Sequence, residues 1–333
     1  MNITVVLCTY NRCETLAKAL RSVAMSKVPE SLGWEVLVVD NNSDDQTWNV
    51  VDEYCTEFPG RFRYLFESQA GKSHALNSGI EAARGQLLAF MDDDVIVEPM
   101  WLQNLTARLH DGEWAGCGGP ILPRWTCTPP SWLPRALAPL ALFDIGSQAG
   151  PLTESPFGTN MAYRREMFEK YGGFRSDLGP KPGGDIQHSE DTEFGNRLLA
   201  AGEHLWYEPS AIVYHPVARD RLEKEYFLAW WFDKSRADVR AYGPPVGSKL
   251  RIGGIPVCLF RRLAVWTLLW IVAMGQSRRF SNKINVWYAA GQVVGCCEAQ
   301  YNRPQEKDVR NLHINSAAGS DQGHSKANHR LAK

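Results

Sequence analysis

The chain has 333 residues, of which 36 are Lys or Arg and 37 are Asp or Glu, and its formal net charge is −1. This balance excludes the strong positive field of a nucleic-acid-binding protein, so we expect no nucleic-acid partner. The length suits one large domain with an extension. Eight scattered cysteines and an N-terminus without a basic, apolar leader predict a cytoplasmic protein with reduced thiols.

The N-terminal third alternates short apolar segments with amphipathic ones. Because strands that alternate with helices form βαβ units, we expect an α/β fold with a mostly parallel sheet flanked by helices. The predicted strands cover residues 3–8, 36–39, 62–66 and 87–91, and the predicted helices cover residues 14–25, 47–58 and 72–83.

Polar residues follow three of these strands, at Thr9, at Asp40-Asn41 and at Asp92. Open α/β sheets bind ligands beyond the carboxyl ends of their strands. The three strand ends therefore predict one shared crevice.

The run Asp92-Asp93-Asp94 directly follows the apolar strand at residues 87–91. Burying ionised carboxylates without compensation is very costly, so this strand end is expected to supply oxygen ligands to a cation. Mg²⁺ and Mn²⁺ prefer such ligands and commonly lie between a few carboxylates and substrate phosphates. A surface turn is the alternative; an EF-hand calcium loop would need alternating acids, a glycine and a distant Glu.

The segment from Gly71 to Gly79 contains Gly71-Lys72-Ser73, which is similar to the end of a phosphate-binding P-loop. A P-loop requires glycine five positions before Gly71, and Phe66 stands there. Lys72 and Asn77 remain candidates for lining a nucleotide pocket, and an ordinary helix start is the alternative.

Three further groups of residues are candidates in the middle of the chain. Glu190-Asp191 precedes a predicted helix at residues 192–201, where an acid serves either as a general base or as a helix cap. Gly158 and Asn160 predict either a sugar-contacting loop or a simple turn. His215 follows a predicted strand at residues 211–214 and is either a metal or diphosphate ligand or a structural residue. Residues 120–139 are predicted to form an irregular loop.

The C-terminal part contains an apolar block at residues 263–274, flanked by Arg261-Arg262 and Arg278-Arg279. A membrane span needs about 20 apolar residues, so the block is too short to cross a bilayer. Tryptophans and flanking arginines predict a helix that lies in a membrane interface, and a helix buried on the catalytic domain is the alternative. Residues 302–333 are predicted to be a disordered tail.

Together these motifs resemble glycosyltransferase family 2, whose members have the GT-A fold of nucleotide-diphospho-sugar transferases. The resemblance covers residues 1–216 and implies a GT-A catalytic domain, which we predict at 1–220. The apolar block and its flanking residues predict a helical, membrane-associated extension at 221–301. It rests on seven motifs: Thr9-Tyr10-Asn11-Arg12, Val38-Val39-Asp40-Asn41-Asn42-Ser43, the segment from Gly71 to Gly79, Phe90-Met91-Asp92-Asp93-Asp94, Gly158-Thr159-Asn160, Gly172-Gly173-Phe174 and Glu190-Asp191.

The resemblance also implies roles for individual residues. Asp191 would be the general base, with Glu190 beside it. The implied metal ligand for Mg²⁺ or Mn²⁺ is Asp94, with Asp92 near the ribose or the metal; His215 is a further candidate from its own position after a strand. The resemblance implies nucleotide-sugar contacts at Thr9, Asp40, Asn41, Asp92, Gly158 and Asn160, and the motifs themselves add Lys72, Asn77 and Asp93.

Two departures from the family pattern matter. Asp40-Asn41 replaces the two acids that often follow the second strand, which leaves the nucleotide base open. The chain also lacks the Gln-x-x-Arg-Trp motif of processive synthases, so a single-addition enzyme is expected.

The resulting prediction is an inverting glycosyltransferase that moves a sugar from a nucleotide-diphospho-sugar to a saccharide or lipid-linked hydroxyl, at the inner face of the cell membrane. A sugar-1-phosphate nucleotidyltransferase is one alternative, although Thr9–Arg12 lacks the glycine-rich phosphate loop of such enzymes. A non-catalytic sugar-nucleotide-binding protein is the other. The released product would distinguish the three. The transferase releases nucleoside diphosphate, the nucleotidyltransferase releases pyrophosphate, and the binding protein releases neither.

Overall fold

The computed structural model of the protein describes residues 2–183, 188–245 and 250–301, with the side chains of residues 300 and 301 left out. The tail predicted at 302–333 lies outside these residues.

The described strands form three sheets. The main sheet has eight strands in the order β3-β2-β1-β4-β9-β6-β10-β8, and two smaller sheets have the orders β5-β11-β7 and β12-β13. The strands are β1 (Ile3–Thr9), β2 (Trp34–Asp40), β3 (Phe62–Phe66), β4 (Leu87–Asp92), β5 (Ile96–Val97), β6 (Gly116–Gly118), β7 (Ile121–Trp125), β8 (Gly150–Pro151), β9 (Asn160–Arg164), β10 (Leu205–Tyr207), β11 (Val213–Val217), β12 (Arg251–Ile252) and β13 (Ile255–Pro256).

Helices flank the main sheet and make up most of the C-terminal region. They are α1 (Cys13–Ala24), α2 (Thr47–Glu57), α3 (Lys72–Ala82), α4 (Trp101–Ala107), α5 (Arg165–Tyr171), α6 (Glu190–Ala200), α7 (Lys224–Tyr242), α8 (Val257–Val272) and α9 (Gln276–Tyr301). Short 3-10 helices lie at Ala138–Leu140 and Arg219–Leu222. The mixed α/β architecture with a mostly parallel central sheet is confirmed.

The four N-terminal strands of the main sheet run parallel because α1, α2 and α3 connect them and each helix returns the chain to the edge where the preceding strand began. Every residue of β2 is buried, and β1 and β4 are buried except at one residue each, which explains their continuous apolar sequences. Thr9 pairs in register with Asp40, and Cys8 pairs with Asp92. The polar strand ends therefore meet at one edge, as predicted.

Three local predictions differ from the structure. The proline-rich segment 120–139 contains a strand, β7, which pairs in parallel with β11 at the register His215↔Pro123. Since β11 extends to Val217, His215 lies inside a strand and is buried there. Helix α6 begins at Glu190, so Asp191 belongs to its first turn. Pairing between segments distant in sequence explains β7 and β11, and local periodicity carries no information about it.

The C-terminal helices pack partly against the sheet. Phe227 of α7 and Phe280 of α9 belong to the same hydrophobic core as the strands, and the predicted domain boundary at residue 220 stays a prediction. In the described part of the chain, no helix has both the length and the hydropathy required to cross a bilayer. The apolar block on α8 is largely exposed, at 61% for Leu268 and 66% for Ile271, so the alternative of a buried helix does not hold.

Candidate active site

Two cavities open beyond the carboxyl ends of β1 and β4. The first has a volume of about 480 Å³ and is lined by the ends of these strands, including Thr9 and Asp94. The second has a volume of about 910 Å³ and extends past Asp191 to helices α7 and α9. Lys72 and Asp92 line both cavities, so the cavities meet at these two side chains.

Asp93 and Asp94 face the first cavity from the end of β4. The Thr9 hydroxyl donates to Asp93 Oδ2 at 2.8 Å, and Arg12 Nη1 donates to Asp93 Oδ1 at 3.1 Å and to Asp94 Oδ2 at 3.2 Å. Burial raises the pKa of Asp93 to about 6 against the opposing charge of Arg12. The acidic run is thus stabilised by a guanidinium and a hydroxyl.

Asp94 also lies beside His215. His215 Nε2 is 3.7 Å from Asp94 Oδ1, and His215 Nδ1 has no hydrogen-bond partner among the residues that the structure describes. Burial raises the pKa of Asp94, but His215, Arg12 and Arg221 outweigh it and lower the pKa to about 2. Asp94 is therefore an ionised carboxylate at neutral pH.

The Asp94–His215 pair is the arrangement that best fits a divalent cation. Carboxylate and phosphate oxygens suit both Mg²⁺ and Mn²⁺, and a neutral imidazole can add a nitrogen ligand to a transition metal such as Mn²⁺. Within residues 2–183, 188–245 and 250–301, no three His, Cys, Asp or Glu side chains form a ready-made metal site. Asp92, the other predicted metal ligand, is engaged differently.

Asp92 is held at the junction of the two cavities. Lys72 Nζ donates to Asp92 Oδ1 at 2.6 Å, and the Thr159 hydroxyl donates to Asp92 Oδ2 at 2.6 Å. Burial raises the pKa of Asp92, but these two contacts and the charge of Lys72 lower it. Lys72 Nζ also lies 3.8 Å from Glu190 Oε1. One cation therefore links the end of β4 to the start of α6.

Glu190 and Asp191 occupy the first turn of α6, where the positive end of the helix dipole favours carboxylates. Burial and the neighbouring Asp191 raise the pKa of Glu190 to about 7, against the opposing charge of Lys72. The Gly158 N–H donates to Asp191 Oδ2 at 2.6 Å, and the Thr192 N–H donates to Asp191 Oδ1 at 2.7 Å. These backbone donors orient the Asp191 carboxylate at the wall of the second cavity.

Asp40 and Asn41 take different positions. Asp40 is buried and accepts hydrogen bonds from the Tyr64 hydroxyl at 2.8 Å and the Ser43 N–H at 2.9 Å. Asn41 lines the first cavity, and its Oδ1 accepts a hydrogen bond from the Gly71 N–H at 2.7 Å. Asn41 thereby holds the loop that leads into Lys72.

Asn77 and Asn160 line neither cavity, although both were predicted to contact the nucleotide sugar. Asn77 bonds the backbone N–H and C=O of Phe174, each at 2.8 Å. Asn160 is 0% exposed, accepts from Trp101 Nε1 at 2.8 Å and donates to two backbone carbonyls. Their amides satisfy interior groups, and their predicted contact with substrate stays a prediction.

Two arginines lie beside Asp94, and the sequence analysis assigned neither of them an individual role. Arg12 lies in the turn after β1, and Arg221 lines both cavities with its Nη2 4.0 Å from Asp94 Oδ2. The available signal for Arg12 was a basic residue in the turn after β1, at the sheet edge where the acids that follow β4 gather. Arg221 follows β11, whose pairing the sequence did not show.

Two solved structures share this architecture. The mannosyltransferase PcManGT from Pyrobaculum calidifontis, in complex with GDP-Man and Mn²⁺, matches with a TM-score of 0.56 at 19% identity, over 96% of this chain and 81% of that one. GalNAc-T7 with UDP, GalNAc and Mn²⁺ matches with a TM-score of 0.52 at 18% identity, over 74% and 52% of the two chains. These similarities show the fold alone, and the fold is the predicted GT-A fold.

Sequence similarity identifies the family. The family model described as Glycosyl transferase family 2 matches residues 4–172, and the chain belongs to this family. It is 30% identical to the succinoglycan biosynthesis protein ExoM of Rhizobium meliloti over 69% of this chain and 70% of that protein. It is 26% identical to the glucosyl-dolichyl phosphate glucuronosyltransferase of Haloferax volcanii over 69% of this chain and 75% of that protein. The predicted family and the class of enzyme, a glycosyltransferase, are confirmed.

Proposed function

We propose that this glycosyltransferase is a metal-dependent, inverting enzyme that transfers one sugar from a nucleotide-diphospho-sugar to an acceptor hydroxyl. The observation that carries the proposal is the junction of the two cavities at Lys72 and Asp92. Asp94 and His215 line the first cavity, and Asp191 lines the second. A donor in the first cavity would present its sugar to the second, where the acceptor enters.

The first cavity suits a nucleoside diphosphate. Its cationic side chains Arg12, Lys72 and Arg221 can neutralise phosphate oxygens, and Thr9 and Asn41 lie where the nucleoside would extend. PcManGT is described with GDP-Man and GalNAc-T7 with UDP, which supports a nucleotide-linked donor and leaves the base open.

Asp94 and His215 would hold Mg²⁺ or Mn²⁺ in this cavity. When bound, such an ion would stabilise the negative charge that develops on the departing diphosphate. The Mn²⁺ described for PcManGT and GalNAc-T7 supports this assignment. Arg12 and Arg221 would add positive charge to the same oxygens.

Asp191 would act as the general base. Its carboxylate would take the proton from the acceptor hydroxyl while that oxygen attacks the anomeric carbon on the face opposite the diphosphate. The new bond to the acceptor oxygen forms as the bond to the phosphate oxygen breaks, and the nucleoside diphosphate leaves. One direct displacement inverts the configuration. Gly158 and Thr192 would keep Asp191 aimed at the acceptor through their backbone N–H groups.

We further propose that the enzyme is peripheral on the inner face of the cell membrane and serves polysaccharide or glycolipid biosynthesis. The exposed apolar residues of α8, with the exposed Arg261-Arg262 and Arg278-Arg279 beside them, support contact with anionic lipid. The similarity to a succinoglycan biosynthesis protein supports the pathway class. A lipid-linked acceptor would then reach the second cavity from the bilayer.

The direct test is nucleoside-diphosphate release from a panel of sugar nucleotides, with Mn²⁺ or EDTA and with membranes as the acceptor source. Asp94→Ala and Asp191→Asn should abolish Mn²⁺-dependent release, whereas Asp52→Asn, a change at an exposed carboxylate on α2, should leave it intact. Release of pyrophosphate would instead indicate a nucleotidyltransferase. Binding of the nucleotides without either product would indicate a non-catalytic binding protein.

A further inference from the structure

The wall of the second cavity that lies away from the sheet is built from α7 and α9 and is rich in aromatic rings. Trp230 and Trp231 lie edge to face with their ring centroids 4.9 Å apart, and Tyr288 lies 5.9 Å from Trp231. All three residues line the cavity. The C–H face of a sugar ring is apolar and packs favourably on an aromatic ring. The hydroxyl groups at the rim of the sugar then remain free to form hydrogen bonds.

Three side chains that line this cavity carry polar atoms without partners. Among the residues that the structure describes, Trp231 Nε1 of α7, Gln292 Oε1 of α9 and Thr192 Oγ1 of α6 are buried without a hydrogen-bond partner. Gln292 is only 7% exposed. A buried polar group without a partner costs about 1–3 kcal/mol, so three such groups on one lining favour a ligand that supplies the partners. An indole N–H, an amide oxygen and a hydroxyl are each able to bond a sugar hydroxyl group.

The charged residues that line the second cavity favour a neutral ligand over an anionic one. Apart from the residues shared with the first cavity, the described acids on the lining are Glu154, Glu190, Asp191 and Asp238, and the described basic side chain is Lys234. Lys234 forms an ion pair with Asp238. The excess of carboxylates disfavours a sugar that carries a phosphate or a carboxylate next to this wall.

Hydrogen bonds connect the wall to the residue that precedes α6. Asp238 of α7 accepts hydrogen bonds from the Tyr288 hydroxyl of α9 at 2.8 Å and from the Ser189 hydroxyl at 3.4 Å. Ser189 has a φ of 81° and directly precedes Glu190, so its backbone is strained at this point. The aromatic wall and the Glu190-Asp191 turn therefore form one connected unit.

We propose that this wall is the acceptor subsite and that it binds the terminal neutral sugar of the acceptor. The sugar packs against Trp230 and Trp231, and its hydroxyl groups bond Trp231 Nε1 and Gln292 Oε1. Its reacting hydroxyl then lies beside Asp191. This inference rests on the proposed function, since it assigns the substrate class to the second cavity of the same enzyme.

The test measures sugar binding directly, by NMR saturation transfer to the full-length protein in EDTA. The probes are octyl β-glucoside, octyl β-galactoside and octyl β-mannoside below their micellar concentrations, with octyl β-glucuronide as the anionic counterpart. We expect transfer to the ring protons of at least one neutral glycoside and about tenfold weaker binding in Trp231→Phe and Gln292→Leu, since each variant loses a buried hydrogen bond. The glucuronide should bind more weakly than the corresponding neutral probe.

Trp206→Phe is the matched control. Trp206 Nε1 is likewise buried without a partner in the described part of the chain, but Trp206 packs on Trp114 with ring centroids 4.7 Å apart and does not line the cavity. This variant should bind the glycosides like the wild type. Absence of ring-proton transfer from every neutral glycoside, or equal losses in Trp206→Phe and Trp231→Phe, would overturn the proposal.

Two further measurements distinguish a soluble acceptor from a lipid-linked one, and failure of the subsite proposal from failure of the proposed function. Transfer from free maltose or lactose would indicate a soluble saccharide acceptor, and transfer from octyl glycosides alone would indicate a lipid-linked one. Donor hydrolysis by water should be unchanged in Trp206→Phe, because Trp206 lines neither cavity. Sugar binding without nucleoside-diphosphate release by the wild type would contradict the proposed function and leave the subsite standing.

Discussion

Lys72 Nζ lies 2.6 Å from Asp92 Oδ1 at the point where the two cavities meet. Burial by itself would lower the pKa of Lys72, but Asp92 and Glu190 outweigh it and raise the pKa. Lys72 is therefore a permanent cation between Asp92, which lines both cavities, and Glu190, which lines the second. We propose that it binds the donor diphosphate while it neutralises these two acids.

Replacement of Lys72 by Met should reduce kcat/KM for the donor by about 10- to 100-fold, because the loss of a charge-assisted hydrogen bond costs about 1.5–3 kcal/mol. Initial rates of nucleoside-diphosphate release against donor concentration would measure the change. Lys170→Met is the control, since Lys170 forms an exposed ion pair with Glu203 away from both cavities. Equal kinetic constants in the two variants would contradict the role of Lys72.

Gly158→Ala should displace the Asp191 carboxylate. A Cβ atom at Gly158 would lie 2.9 Å from Asp191 Oδ2 and 3.1 Å from Asp191 Cβ, which is too close for the present geometry. Because a misplaced general base forfeits much of its contribution, we expect kcat to fall by about 100-fold with little change in donor KM.

Gly150→Ala provides the comparison for Gly158→Ala. Its Cβ atom would meet nothing within 4 Å, so kcat should remain at the wild-type value. Circular dichroism melting curves of both variants would show whether the fold is retained. A kcat for Gly158→Ala within a factor of two of the control would argue against Asp191 as the base.

Glu190 should make the stability of the metal-free protein depend on pH. Burial raises the pKa of Glu190 from 4.5 to about 7, so the folded state binds a proton more tightly than the unfolded state. The free energy of unfolding should therefore fall by about 2–3 kcal/mol as the pH rises from about 4.5 to about 7. Below this range the carboxyl group is protonated in both states. Above this range it is ionised in both states, and the folded state carries the full free-energy cost of burying the carboxylate.

Glu190→Gln should remove this component, and Glu169→Gln, a change at an exposed residue of α5, should retain it. Urea unfolding in EDTA at several pH values would measure the difference. A parallel pH dependence in the Glu190→Gln variant and the wild type would show that Glu190 titrates near its ordinary pKa.

Leu268→Glu combined with Ile271→Glu should weaken binding to phosphatidylcholine–phosphatidylglycerol vesicles by at least about tenfold, because both side chains lose apolar insertion. Binding of the wild type should also weaken with salt, since the flanking arginines interact with anionic lipid through screened charges. Met25→Glu, at a residue that is 68% exposed beyond α1, should bind like the wild type. Vesicle flotation would measure all three proteins, and unchanged flotation of the double variant would exclude α8 as the contact.

Much of the N-terminal fold was predictable because its signals are local. The apolar runs before Thr9, Asp40 and Asp92 predicted the central strands, and each strand is present within two residues of the expected bounds. The helix at Cys13–Ala24 followed from apolar periodicity, and the helix predicted at residues 72–83 is present at Lys72–Ala82. The order and spacing of the motifs were sufficient to identify the family.

The pairing of distant segments was not predictable from such signals. His215 lies inside β11 beside Asp94 because β11 pairs with β7, a strand in a segment that was predicted to be irregular. The amides of Asn77 and Asn160 looked available for substrate, yet both satisfy interior backbone groups.

The sequence by itself determined the family, the order of the strands and helices in the N-terminal third and the strand ends at which the acids gather, because hydrophobic periodicity and strand-end polarity are properties of neighbouring residues. Only the tertiary structure decided which of these acids pairs with Lys72, which lies beside His215, and that Trp231 and Gln292 line the cavity of Asp191. These relations depend on long-range packing, where burial and charge act between residues that are far apart along the chain.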